Sequence, residues 1–185
     1  MTRIIGIDPG SRVTGYGIVE ITGTRSRWIA HGRIACAAGP LPRRLLQILQ
    51  QLDAVIREHQ PHEAAIEEVF VKNNVATALV LGQARGAAIC ALAAAGLEVA
   101  EYAPASIKSA IVGSGRAEKA QVQHMIKVLL NLNETPPTDA ADALAVALCH
   151  AHQRGAASLK TVPRTRSAPS WRQMQVDANG KLVKR

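Results

Sequence analysis

The amino-acid sequence predicts an α/β domain, a five-stranded mixed sheet flanked by helices, and three observations lead there. Ile4, Ile5 and Ile7 form a short apolar run of β-branched residues that ends on Asp8-Pro9-Gly10, the pattern of a strand buried on both faces and stopped by a turn. Two further apolar stretches follow, joined by Thr22-Gly23-Thr24, which returns the chain as a hairpin. From Pro40 onward the order is helix, strand, helix, strand, helices, and right-handed crossovers then place the fourth strand parallel to the first, on the side away from the hairpin.

Each element has its own signal. Val13 to Ile21 reads as the second strand and Arg27 to Cys36 as the third. The third alternates, with Trp28, Ala30, Gly32, Ile34 and Cys36 on one face and Arg27, His31 and Arg33 on the other. Gly10, Gly15 and Gly17 thin the sheet near Asp8, serving twist, a bulge or the close approach of a ligand backbone. Pro40 to His59 is an amphipathic helix, with Leu45, Ile48, Leu49, Leu52, Val55 and Ile56 at three-four spacing. Pro61 breaks it, and Ala64-Ala65-Ile66 makes a short strand ending at Glu67-Glu68. Val75 to Ala95 is an Ala-rich helix stopped by Gly96, and Leu97 to Tyr102 is the fifth strand. Pro104 opens a short helix closed by Gly113, Glu118 to Leu130 is another, and Thr138 caps a last helix running to about His152.

The chemistry lies in carboxylates. Asp8 and Glu67 end neighbouring parallel strands at the same sheet edge, where sites in such sheets are built. Asp139 and Asp142, three apart in the first turn of the last helix, lie on one face. Singly each has an ordinary explanation: Asp-Pro-Gly opens turns, and acids complement a helix N-terminus. Together they are an oxygen-only donor set suited to Mg²⁺ or Mn²⁺ rather than zinc. Two such ions can clamp the attacking and leaving oxygens of a phosphoryl displacement, so the reaction class that follows is phosphodiester hydrolysis.

Composition narrows the partners. The 185 residues suffice for one well-packed domain, expected over 1–152, followed by a tail over 153–185 that has no periodicity and reads as disordered. The net charge is +8: residues 1–152 carry 14 Lys or Arg against 13 Asp or Glu, and residues 153–185 carry 8 against 1. A nearly neutral body with a basic tail suits a polyanionic partner, although a solubilising extension has the same composition. Cys36, Cys90 and Cys149 are widely spaced in apolar segments, the usage of reduced core thiols in a cytosolic protein. No N-terminal signal peptide is expected. Val75 to Gly96 carries Gln83 and Arg85 at its centre, which favours a buried or partner-facing helix over a membrane span.

Five blocks carry a resemblance: Ile5 to Gly17, Ala65 to Phe70, Leu81 to Gly86, Glu118 to Met125 and Asp139 to Ala145. In this order they resemble the RuvC-type Holliday junction resolvases over about residues 3 to 152. The resemblance implies a ribonuclease H-like fold, a homodimer, and Mg²⁺-dependent nicking of two symmetric strands of a four-way DNA junction. It also implies work beside a branch-migration complex. The family's catalytic, metal-holding acids fall on Asp8, Glu67, Asp139 and Asp142, with Glu68 at a position that varies.

Other residues gain candidate roles under that resemblance. Phe70, the only Phe, sits in a polar loop just after Glu67; it either folds back into the core or stacks on unpaired bases, and the resemblance favours stacking. Gly113-Ser114-Gly115-Arg116 leading to Lys119 offers amides and cations for a phosphate, with Lys108 nearby; a solvated helix face explains Lys108 equally well. Gly82 and Gly86 allow close helix approach, to the sheet or across a two-fold dimer interface. The six His share no metal spacing; His124 is placed to face DNA. Rival readings are an RNase H-like nuclease acting on RNA or on another structured substrate, an ATPase of the actin and sugar-kinase kind, for which 185 residues leave no room for a second lobe, and a DNA-binding subunit with structural acids.

Overall fold

The structure, a computed structural model, describes residues 1–36, 38–69, 75–159, 174–176 and 182–184. The first of two compact units, Met1–Gly155, holds one sheet of order β3-β2-β1-β4-β5. β1 (Thr2–Asp8) pairs antiparallel with β2 (Val13–Thr22), which pairs antiparallel with β3 (Arg25–Ala35). β4 (Glu63–Glu67) lies parallel to β1 on its other side, and β5 (Val99–Tyr102) parallel to β4. This is the expected mixed sheet, with the crossover strand on the expected side.

Alternation along the central strands explains why both faces are buried. Ile4, Val19 and Ala65 point to one face, under α3 (Pro104–Val112), α4 (Lys119–Leu129) and α5 (Thr138–Leu159). Ile5, Ile7, Ile18, Ala64 and Ile66 point to the other, under α1 (Leu41–His59) and α2 (Val75–Ala94). Helix ends follow local chemistry. α1 stops where Gln60 turns left-handed before Pro61, and α3 stops at left-handed Gly113 (φ 78°). The side chain of Gln121 accepts the Glu118 N–H at 2.9 Å to start α4.

α5 is the helix that fixes the site, and the sheet glycines admit it. A Cβ on Gly6 would come within 2.5 Å of the Ala147 nitrogen and overlap the Ala143 carbonyl; one on Gly15 would overlap the Asp139 carbonyl, and one on Gly17 would sit 2.7 Å from the Leu144 nitrogen. The close approach expected at Gly15 and Gly17 is therefore made by a helix backbone, not by a ligand. Facing it, the helix is almost wholly buried from Ala140 to Cys149, Asp142 being the half-buried exception.

Two details differ from the sequence expectation. The alternation of β3 breaks at Ile29, where the register skips from Ile18↔Ala30 to Val19↔Trp28. The extra residue moves Trp28 to the α5 face, where its indole N–H donates to His31 Nδ1 at 2.9 Å and its side chain stays 41% exposed. α5 also continues past His152 to Leu159. In the second unit, Ala156–Arg185, where the sequence has no periodicity, β6 (Met174–Val176) and β7 (Leu182–Lys184) form a short antiparallel pair.

Candidate active site

Asp8 and Glu67 reach one cleft because their strands run in parallel register. Ile7 lies opposite Ile66, so the next residue on each strand is an acid, and both share the face of Gly6 and Ala65. The turn after Asp8 is pinned: Thr14 Oγ1, fully buried, donates to the Gly10 carbonyl at 3.1 Å and accepts the Gly10 N–H at 3.4 Å. Asp142 enters from the second turn of α5, Lys119 from the start of α4 and Lys108 from α3. With Ile107, Val122 and Ala145 as apolar walls they line a cleft of about 220 Å³.

The charges in this cleft are unbalanced by design of the fold. Burial raises the Asp8 carboxyl from 3.8 to about 8, with the charges of Glu67 and Asp142 adding to it and Lys119 opposing. Burial likewise raises Glu67; a hydrogen bond from protonated Asp8 works the other way, Asp142 reinforces the rise, and Lys119 and Lys108 oppose it. Burial thus favours the protonated form of Asp8, hydrogen-bonded to Glu67. Burial is the largest influence on Lys119 and disfavours its charge, but its hydrogen bond to Asp142 and the charges of Asp142, Asp8 and Asp139 outweigh it, so its pKa is raised. Lys119 Nζ stands 2.6 Å from Asp142 Oδ2, with 61% of its side chain exposed. Such a screened pair contributes about 1 kcal/mol or less, so the ammonium is free to exchange partners.

Of the four candidate acids, three converge. Asp139 does not line the cleft: its carboxylate points toward Arg33 Nη1 at 4.0 Å, on the β3 side of α5. Three residues turn a helix through about 300°, so the pair diverges by about 60° when the helix lies flat on a sheet. Among the described residues, no three His, Cys, Asp or Glu side chains stand as a ready metal cage. A proton, an ammonium and a guanidinium take the places where cations belong. The donor chemistry nevertheless fits hard divalent ions: carboxylate oxygens in excess of internal cations, two of them buried enough to hold a proton.

The remaining candidates scatter. Arg116 is exposed on the loop between α3 and α4, outside the cleft wall, and His124 is exposed on α4. Gly82 and Gly86 face outward on α2, with nothing within 4 Å of an added Cβ, so neither packs on the sheet. Glu68 donates its N–H to the Tyr102 carbonyl at 2.9 Å. Phe70 lies outside the described residues. Two arginines escaped the sequence reading: Arg33 beside Asp139, and Arg85 on α2, whose Nε donates to the Glu67 carbonyl at 3.2 Å. Arg33 stands opposite Gly15, itself opposite Asp8, and Arg85 falls inside the Leu81 to Gly86 block.

A family model for the crossover junction endodeoxyribonuclease RuvC matches residues 4–150. The chain belongs to the RuvC family. The RuvC endonuclease of Halorhodospira halophila is 59% identical over 158 residues, covering 84% of this chain and 93% of that protein. That of Alkalilimnicola ehrlichii is 56% identical over 153 residues, covering 83% and 93%. The structure of T. thermophilus RuvC in complex with a Holliday junction substrate matches with a TM-score of 0.80 at 32% identity, over 85% of this chain and 98% of that one. The RuvC match brings the ribonuclease H-like fold with it, as expected from the five blocks.

Proposed function

We propose that this RuvC-family chain resolves four-way DNA junctions by nicking two symmetric strands, with Mg²⁺ as cofactor, Mn²⁺ tolerated and two ions at each site. The observation that carries the reading is the convergence of Asp8, Glu67 and Asp142 with Lys108 and Lys119 in one cleft at the sheet edge. Asp8, Glu67 and Asp142 would hold the ions, with Asp139 as the fourth acid of the set. When bound, the ions supply Lewis acidity toward a phosphodiester and lower the pKa of water. Asp8 would be ionised when it holds an ion. Lys119 and Lys108 draw the phosphodiester into the cleft, and Lys119 can exchange Asp142 for a phosphate oxygen. Ile107, Val122 and Ala145 form a dry wall that strengthens these charges. Arg116 binds the backbone further out, and Phe70 stacks on a base opened at the crossover.

Two symmetric nicks call for two sites, and α2 supports a homodimer. It is the one helix among the described residues long and apolar enough to cross a membrane. Its inner face of Ala84, Ala88, Ala91 and Leu92 is already buried, leaving Val75 and Leu79 exposed beside Gly82 and Gly86. A second copy covers such a stripe better than lipid does, because one face is committed to the core. The protein then acts in the cytoplasm, beside a junction branch-migration complex, as one domain over 1–152 with a basic tail over 153–185.

The test is to incubate the protein with a labelled four-way junction, a plain duplex and an RNA hairpin, with and without Mg²⁺. Paired nicks at symmetric positions, on the junction alone and only with Mg²⁺, are expected. Cutting of the RNA hairpin, or metal-independent cutting, would overturn the reading.

A further inference from the structure

We infer that Arg85 is a positioning residue that ties the outward-facing helix α2 to the strand end bearing Glu67; this rests on the reading of Glu67 as a catalytic acid. Glu67 is the last residue of β4. Its carboxyl group enters the cleft, while its backbone carbonyl accepts a hydrogen bond from Arg85 Nε at 3.2 Å. The same guanidinium pairs through Nη2 with Glu101 of β5, whose strand also takes the Glu68 N–H on the Tyr102 carbonyl. One planar fork therefore spans the ends of two adjacent strands where the ladder stops.

The side chains that α2 buries against the core, Ala84, Ala88, Ala91 and Leu92, are all apolar, and such packing is non-directional. Arg85 adds a directional contact to the Glu67 carbonyl, and its side chain is only 19% exposed. It lies on the same turns as Gly82 and Gly86, which face outward with open space around them. Whatever seats against that face moves α2 as a rod, and Arg85 passes the displacement to the Glu67 backbone. The carboxylate then sits correctly only when α2 is correctly placed. Glu101, half exposed, orients the fork rather than anchoring it.

The test compares full-length wild type, Arg85→Ala, Arg85→Lys and Glu67→Gln. Single-turnover nicking with Mg²⁺, Mn²⁺ binding by calorimetry, junction Kd in EDTA, sedimentation and Tm are measured on each. Arg85→Ala should nick about 10- to 100-fold more slowly and bind Mn²⁺ about 10-fold more weakly, the range for residues that orient a metal ligand. Its junction Kd, association state and Tm should stay near wild type. Arg85→Lys should recover part of both losses, since an ammonium can still donate to the carbonyl but cannot hold two acceptors in one plane. Unchanged nicking and Mn²⁺ binding in Arg85→Ala, with Glu67→Gln inactive, would overturn the inference alone. So would losses that merely follow a fall in Tm or dissociation. Wild-type nicking by Glu67→Gln would instead remove the acid assignment beneath it.

Discussion

Replacing Asp8 by Asn should abolish nicking and, in metal-free buffer, make the protein more stable. Burial beside Glu67 and Asp142 raises the Asp8 carboxyl from 3.8 to about 8. Between those values the folded protein keeps a proton that the unfolded chain has released. Folding then takes up a proton, so stability falls as pH rises from about 4 to about 8 and the loss is complete above the folded value. At pH 7 the span is about 3 pH units at about 1.4 kcal/mol each, a penalty of about 4 kcal/mol. Asn carries no such penalty, and its amide can donate to Glu67 as the protonated acid does. For a domain of this size about 4 kcal/mol corresponds to a Tm gain of roughly 8–16 °C. Thermal unfolding in EDTA from pH 4 to pH 8 should show the two proteins converging near pH 4 and separating as pH rises. Saturating Mg²⁺ should then raise the Tm of wild type far more than that of Asp8→Asn, because only wild type can exchange the proton for an ion. A variant no more stable than wild type at pH 7, or a gain that does not shrink on acidification, would refute the account of the buried acid pair.

Three other perturbations test separate parts of the structure. Leu79→Glu, at a side chain 63% exposed on α2, should leave Tm nearly unchanged but produce monomers by sedimentation and single rather than paired nicks on a junction. Gly6→Ala drives a methyl group into the backbone of α5 at Ala143 and Ala147; a loss of about 1–3 kcal/mol in denaturant unfolding is expected, with a fall in nicking beyond the fraction unfolded because Asp142 moves too. Truncation after Leu159 removes seven Lys or Arg and one Asp, and should weaken binding to junction and duplex alike while flattening the salt dependence, measured as log Kd against log salt concentration.

The legible parts of this chain are those where one physical demand dominates. β1 could be read because a strand buried on both faces must be apolar throughout, so Asp8 at its end stands out. β4 follows the same rule, and parallel register then brings Glu67 beside Asp8 without further information. The illegible parts are those where two demands compete. The bulge at Ile29 leaves no mark in the residue pattern, because Trp28 is as acceptable on one face as the other; only pairing with β2 decides. Asp139 and Asp142 share a helix face in isolation, yet on the flat seat of α5 Asp142 lines the cleft while Asp139 turns toward Arg33, near enough for its charge still to act on Lys119. Arg85 falls inside the Leu81 to Gly86 block, but its local residue pattern in an Ala-rich helix does not distinguish a positioning contact from a solubilising charge.

Three acids that repel one another do not assemble themselves, so their proximity has to be imposed by the scaffold. That demand explains the glycines. Bare positions at Gly6, Gly15 and Gly17 let the backbone of α5 settle directly on β1 and β2, and the helix can be held there because Ala140 to Cys149 are buried almost throughout. With side chains on those strands, α5 would ride higher and Asp142 would withdraw from Asp8 and Glu67, relieving the repulsion and emptying the site of its function. Packing on both sides of the sheet thus holds the acids at a separation they would not choose. The Asp8 proton and the Lys119 ammonium offset part of the repulsion at that separation. A site built this way is held by what surrounds it, which is why changes at Gly6 or Arg85, neither of which lines the cleft, are expected to reach the chemistry.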